Sequence, residues 1–179
     1  MIRLLLLLIP SFAFTQSSLI DYSHPYHSTH TQSGIVVSQN YLSSDIGVEI
    51  LNKGGNAVDA AIAVGFSLTA TLPRAGNIGG GGFMQVYIAK DKTILTIDFR
   101  SMAPGLATRK FYQNAIKEND DVTRKGFKAI AVPGTVAGLF KAHELYGSLP
   151  MKGLIQPTIT LLEEGVPITQ DLYLSLIHI

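Results

Sequence analysis

The sequence predicts a mixed helix-and-strand domain, an α/β fold of the α+β kind, on three observations. The chain has 179 residues of which 46% are hydrophobic, enough for one domain with a real core. Apolar residues recur every four positions in residues 41–53, which is typical of an amphipathic helix. Apolar and polar residues alternate in residues 93–100, which is typical of a half-buried strand.

Charge and cysteine content exclude several classes of protein. Fourteen Lys and Arg against 13 Asp and Glu leave a net charge of +1, so the chain has no basic field for nucleic acid. Its apolar fraction excludes a disordered chain. The absence of Cys excludes disulfides, a thiolate nucleophile and iron–sulfur ligation.

Residues 1–13 have the pattern of a signal peptide. Arg3 precedes the aliphatic run 4–9, and Ala13 stands where a signal peptidase cuts after small residues. We therefore expect an exported protein, periplasmic or secreted, with no membrane span after signal removal, because the run is far shorter than the ~20 residues of a spanning helix.

The polar residues 14–33 are expected to form a linker at the mature N-terminus. They contain His24, His27 and His30, a spacing that suggests metal ligands on one helix face. Pro25 opposes that helix, so no metal site is expected there.

The next elements follow from local signals. Residues 34–38 form a short apolar run with β-branched residues, which predicts a buried strand. Gly54-Gly55 should end the helix 41–53 in the left-handed conformation. Asn56 and Asp59 form the pattern of a capping box for a helix over 57–72, which is apolar on every side and is expected to be buried all round.

The second half begins with four glycines at 79–82, which open a strand at 83–89 that turns into the strand 93–100. The predicted helices are a short one at 108–117, one at 135–146 with the small residues Gly134 and Gly138 on one face, a pair within 154–164 broken at Pro157, and a capped start at Thr169. The apolar ending 174–179 has no closing element, so we expect a truncated chain.

Few of these residues suggest chemistry. The four glycines lack a following Gly-Lys-Ser/Thr and precede a strand, so a phosphate-binding loop is disfavoured. The pattern favours a structural role, in which the backbone packs so closely that no Cβ fits. The acids Asp59, Asp98, Glu163 and Glu164 form no arguable acid–base pair. Arg100, on the polar face at a strand end, is the best candidate for binding an anion. The alternative, an ordinary ion pair with Asp98, is favoured on spacing alone.

Five segments in order carry a family resemblance: GIVVSQ from 34, GVEILNKGGNAVDAAIAVGFSLTATLP from 47, AGNIGGGGFM from 75, IDFRSMAP from 97 and AVPGTVAGLFKAHELYG from 131. Together they resemble the opening of a γ-glutamyltranspeptidase precursor. The resemblance implies an N-terminal-nucleophile hydrolase with an αββα sandwich, incomplete in this fragment. Residues 34–179 would then be the N-terminal portion of the large subunit.

The resemblance also implies a mechanism. Such precursors cut themselves, and the new N-terminal Thr of the small subunit attacks glutathione or another γ-glutamyl compound, with its own amino group as base. Water, an amino acid or a peptide then takes the γ-glutamyl group. The expected partners are these small molecules and the chain's own small subunit, with no cofactor and no metal.

The implied residue roles are few. The nucleophilic Thr lies beyond this chain, and neither Thr15 nor Thr135 resembles the processing site, so the fragment has no catalytic residue and is expected to be inactive alone. By its match to the family motif, Arg100 binds the α-carboxylate of the γ-glutamyl group, and a planar guanidinium suits both oxygens. The family commonly has Glu where this chain has Ser101.

Two alternatives stay open. One is a related acylase of the cephalosporin acylase type, acting on a dicarboxylic side chain. The other is a non-catalytic periplasmic binding domain. Arg100 in its IDFR context favours the transpeptidase over the acylase.

Overall fold

Six α-helices and one two-stranded antiparallel hairpin make up the regular structure in the computed structural model, which describes residues 30–177. From Thr31 onward they belong to one compact unit. The elements are α1 Tyr41–Asn52, α2 Ala57–Thr71, β1 Phe83–Ile88, β2 Thr93–Asp98, α3 Arg109–Glu118, α4 Thr135–Tyr146, α5 Met151–Glu164 and α6 Gln170–Leu176. The predicted signal peptide, most of the linker, and His24 and His27 lie outside the described residues.

Helix α2 lies at the centre of the core and contacts α1, α4 and α5. Its small residues allow close approach: a Cβ on Gly65 would stand 3.1 Å from the Leu139 side chain of α4. Burial of each large aliphatic side chain contributes about 1.5–3 kcal/mol. The buried core residues include Ile46, Ile50, Ile62, Ala63, Phe66, Leu139, Ala142 and Leu154.

The predicted capping box at the start of α2 is confirmed. The Asn56 side-chain oxygen accepts hydrogen bonds from the backbone N–H of Val58 (2.8 Å) and Asp59 (3.0 Å). The Asp59 carboxylate in turn accepts from the Asn56 backbone N–H at 2.9 Å. Three backbone donors that a helix start leaves free are thereby satisfied.

Two expectations near α2 are wrong. Residues 34–38 form no strand and pair with none among the described residues, and Val37 is 81% exposed. Helix α2 is not buried all round, because Ala57 and Ala61 face solvent and Val64 and Leu68 are only half-buried. A β-branched run becomes a buried strand only beside a partner strand, and residues 30–177 supply none.

The prediction of two helices separated by a break at Pro157 is also wrong. One continuous helix, α5, runs through the proline. Proline removes one backbone hydrogen bond from a helix interior. The fully buried side chain of Leu154 belongs to the hydrophobic core and holds this stretch of α5 against α2, and such burial offsets the loss of one hydrogen bond.

The left-handed conformation predicted for Gly54-Gly55 is confirmed at Gly54 alone. Gly54 has φ of 86° after α1 and Gly165 has φ of 95° after α5. Gly55 does not share the left-handed conformation, but a Cβ there would stand 2.9 Å from the Ile50 carbonyl oxygen.

Gly54→Ala should lower the free energy of unfolding by about 1–2 kcal/mol, because a Cβ is strained at positive φ although nothing lies within 4 Å of it. Gly153→Ala is the matched control: Gly153 lies inside α5 with equally open surroundings but without positive φ. The control should be neutral or stabilising by up to about 1 kcal/mol. Urea unfolding of both variants checks this, and equal losses would contradict the role of φ.

Candidate functional site

Arg100 lies immediately after the last residue pairing of the hairpin. β1 and β2 are antiparallel with Phe83 opposite Asp98. The pairing continues one residue further, since the Phe99 N–H donates to the Gly82 carbonyl (3.0 Å) and the Gly82 N–H to the Phe99 carbonyl (3.3 Å). The regular strand β2 ends at Asp98, two residues before the predicted end, the pairing ends at Phe99, and Arg100 follows it.

The side chain of Arg100 is available to a ligand. The residue is exposed, and no ion pair among the described residues includes its guanidinium. The Asp98 carboxylate instead accepts the backbone N–H of Arg100 at 2.9 Å. The side-chain ion pair considered from the spacing is thus not formed, and the five guanidinium donors remain for an external acceptor.

A groove of about 530 Å³ lies beside Arg100. Its walls come from the end of β2 and the following residues, from residues 132–134, and from one face of α4. The pairing of Met102 with Val132 joins these two stretches of chain, with hydrogen bonds of 3.1 and 2.8 Å. Sequence reasoning did not find this bridge, which lacks a local signal.

The predicted structural role of the four-glycine run is confirmed in part, at Gly81 and Gly82, whereas a Cβ on Gly79 or Gly80 would meet nothing closer than 3.3 Å. A Cβ on Gly81 would stand 2.3 Å from the Ser101 nitrogen and 2.6 Å from the Phe99 oxygen, closer than any real side chain comes. The Gly80 carbonyl accepts hydrogen bonds from Gly134 (2.8 Å) and Thr135 (3.2 Å) at the start of α4. The run therefore binds the protein's own backbone.

The predicted small-residue face of α4 is confirmed, and Phe99 is what it contacts. A Cβ on Gly138 would lie 2.1 Å from the ring atom Cγ of Phe99. A Cβ on Gly134 would lie 2.0 Å from the Phe99 carbonyl oxygen. Glycine at these positions lets the strand end and the helix meet without side chains between them.

A second cation lines the groove and was missed in the sequence. Lys141 follows Gly138 by three residues, on the same helix face, a spacing that could have identified it. Its ammonium group pairs with Glu144 at 3.0 Å, and half of the side chain is exposed. Its charge is thus partly neutralised, whereas that of Arg100 is not.

Asp59 has a second role that its capping position did not reveal. It is fully buried, and its carboxylate accepts the backbone N–H groups of Ser148 (3.0 Å) and Leu149 (3.4 Å) and the Ser148 hydroxyl. Burial alone would raise the pKa of this carboxyl, but hydrogen bonds from Ser148, Asn56 and Leu149 outweigh it and hold the pKa below its ordinary value. Asp59 therefore ties the start of α2 to the connection between α4 and α5.

Neither a metal site nor a membrane helix emerges from residues 30–177. No three of their His, Asp and Glu side chains come together in a way that could hold a metal ion. None of their helices has the length and apolarity required to cross a membrane.

Comparison with known proteins identifies the family. Residues 43–178 match the family described as Gamma-glutamyltranspeptidase. The chain is 43% identical over 143 residues to a glutathione hydrolase proenzyme of Pseudomonas sp. strain A14, covering 78% of this chain and 24% of that protein. It thus spans about a quarter of the length of this curated relative.

Comparison with solved structures agrees with the family match. The crystal structure of Helicobacter pylori γ-glutamyltranspeptidase is similar with a TM-score of 0.77 and 38% identity, over 85% of this chain and 44% of that one. Cephalosporin acylase from Bacillus halodurans follows with a TM-score of 0.67 and 30% identity, over 86% of this chain and 29% of that one. The predicted fold class is confirmed: the chain has part of an N-terminal-nucleophile hydrolase fold.

The family match includes the hairpin, the glycine run, Arg100 and α4, the parts that build the groove. Sequence and structure comparisons agree with the resemblance seen in the motifs. This chain belongs to the γ-glutamyltranspeptidase family.

Proposed function

We propose that this chain is the N-terminal part of the large subunit of an exported enzyme that cleaves the γ-glutamyl amide of glutathione and related compounds. The γ-glutamyl group passes to water, an amino acid or a peptide. Arg100 binds the α-carboxylate of that group. The observation that carries the proposal is the guanidinium of Arg100, which lines a groove and forms no ion pair among the described residues.

The groove offers the chemistry for this recognition. A guanidinium presents two parallel N–H donors that match both oxygens of a carboxylate. The Asp98 carboxylate lines the same groove, but it accepts a backbone hydrogen bond from Arg100 and leaves the guanidinium without an ion pair among the described residues. The positive charge in the groove can therefore attract an anion.

The covalent step needs a residue that this chain does not supply. In the proposed reaction a Thr hydroxyl attacks the γ-carbonyl, the amine leaves with a proton, and the γ-glutamyl ester is then attacked by water or an amine. The Thr becomes N-terminal when the precursor cuts itself into two subunits. The Pseudomonas relative is named a proenzyme, which supports processing of this kind.

An acylase acting on a dicarboxylic side chain is the second candidate. The similarity to a cephalosporin acylase at 30% identity supports it. A glutaryl group also ends in a carboxylate, so Arg100 could bind either substrate. The α-amino group is what separates a γ-glutamyl group from a glutaryl group.

Three anilides tested on the complete enzyme separate these candidates. The γ-glutamyl anilide has both α-groups, the glutaryl anilide lacks the amine, and the 4-aminobutanoyl anilide lacks the carboxylate. We expect kcat/KM to be highest for the γ-glutamyl anilide by roughly fivefold to a hundredfold, since an unpaired polar group in a site costs about 1–3 kcal/mol. Equal or faster turnover of the glutaryl anilide would favour the acylase.

We further propose export through residues 1–13 as a signal peptide, with cleavage after Ala13 or within a few residues of it. The basic residue, aliphatic run and small residues in this order support the proposal. N-terminal sequencing of the protein from the cell envelope and medium checks it. A mature protein that still begins with Met1 would contradict it.

A further inference from the structure

The backbone is held on both sides of Arg100. Upstream, Phe99 exchanges two hydrogen bonds with Gly82 (3.0 and 3.3 Å). Downstream, Met102 exchanges two with Val132 (3.1 and 2.8 Å). Only Arg100 and Ser101 lie between these two anchors, so the position of either anchor sets where the guanidinium can reach.

The upstream anchor depends on the Phe99 side chain as well as its backbone. Its half-buried ring occupies the place that a Cβ on Gly138 would need, 2.1 Å from Cγ. On its other side the ring atom Cε2 stands 3.0 Å from where a Cβ on Gly82 would be. The ring is thus enclosed between the start of β1 and helix α4.

We propose that Phe99 is a positioning residue: its ring packs against Gly138, and this contact sets the place and orientation of Arg100. This inference rests on the proposed carboxylate-binding role of Arg100. A bidentate contact demands a narrow geometry, and a displacement of 1 Å at a site can cost roughly a hundredfold in rate. Phe99 itself contacts no substrate in this proposal.

Gly138→Ala in the complete enzyme tests it, because the new Cβ must displace the ring. We expect kcat/KM for the γ-glutamyl anilide to fall roughly tenfold to a hundredfold, mainly through KM, while the 4-aminobutanoyl anilide changes little. Gly153→Ala is the matched control, a glycine-to-alanine change inside a helix with nothing within 4 Å. It should leave both substrates unchanged.

Phe99→Leu provides a second variant in case Gly138→Ala prevents folding. Loss of subunit self-cleavage, seen on a gel, would reveal such a folding failure. Phe99→Leu keeps an apolar side chain but removes the ring, and should cause the same substrate-selective loss. In the Phe99→Leu background, Gly138→Ala should add less than it costs alone, because the two changes disturb one contact.

The outcomes separate this proposal from the proposed function. If Arg100→Ala slows both anilides equally, the carboxylate-binding role is wrong. If Arg100→Ala slows only the γ-glutamyl anilide, Arg100 binds the carboxylate. The positioning role of Phe99 is nevertheless wrong if folded Gly138→Ala and Phe99→Leu then slow the two anilides equally, or slow neither anilide.

Discussion

Arg100→Ala in the complete enzyme is expected to lower kcat/KM for γ-glutamyl substrates by roughly two to three orders of magnitude. Hydrogen bonds to a charged group contribute about 1.5–3 kcal/mol each, and the loss also leaves the substrate carboxylate desolvated without a partner. About 1.4 kcal/mol corresponds to a tenfold change. Kinetics on the γ-glutamyl anilide, beside the 4-aminobutanoyl anilide that lacks the carboxylate, measure the effect.

Two further variants sharpen this experiment. Arg100→Lys should recover only part of the loss, because a point charge cannot form the two parallel bonds. Arg109→Ala removes an exposed arginine that also forms no ion pair among the described residues, and it should change little. Self-cleavage should survive in every variant, since it uses no free substrate carboxylate. Loss of cleavage and activity together in Arg100→Ala would indicate a structural role instead.

Asp59→Ala is expected to destabilise the protein by about 3 kcal/mol or more. The change removes the acceptor of four part-buried hydrogen bonds, which come from the backbone N–H groups of Asn56, Ser148 and Leu149 and from the Ser148 hydroxyl. Each unsatisfied buried donor costs about 1–3 kcal/mol. Asp45→Ala, an exposed aspartate inside α1, is the control and should stay within about 0.5 kcal/mol. Urea unfolding of the complete protein measures both, and equal effects would contradict the role of Asp59.

The same carboxylate gives stability a dependence on pH. The folded-state pKa of Asp59 lies below its ordinary value, so the unfolded chain takes up a proton first as pH falls. The stabilisation is therefore fully present above about pH 4, near the ordinary pKa of Asp, and is lost as pH falls through the folded-state pKa. The stability difference between the wild type and Asp59→Asn should shrink below that pH. A difference that grows with acid would reverse the sign and contradict this assignment.

Local signals in the sequence determined where most elements begin and end. The helix over 135–146 and the capping box of Asn56 and Asp59 were predicted as observed. The left-handed conformation of Gly54 after α1 was predicted from the presence of glycine at this position. Each of these depends on residues within one turn of a helix, so no distant contact was needed. The family resemblance, carried by ordered motifs, was equally available from the sequence.

Distant contacts decided the rest. Residues 34–38 have strand propensity but no partner strand among the described residues, and Pro157 remains in a helix because its neighbours are buried against the core. Each outcome reverses a local preference: residues 34–38 find no strand to pair with, and around Pro157 burial outweighs the loss of one hydrogen bond.

The candidate site shows the same division. The sequence identified Arg100 and the small residues Gly134 and Gly138, but spacing alone favoured an ion pair between Arg100 and Asp98. The structure shows a different arrangement: Asp98 accepts the backbone N–H of Arg100, a local bond, while the Phe99 ring packs against Gly138 of α4, a contact between residues far apart in the chain. A side chain's partner depends on where the backbone places it, and that position comes from contacts between residues far apart in the chain.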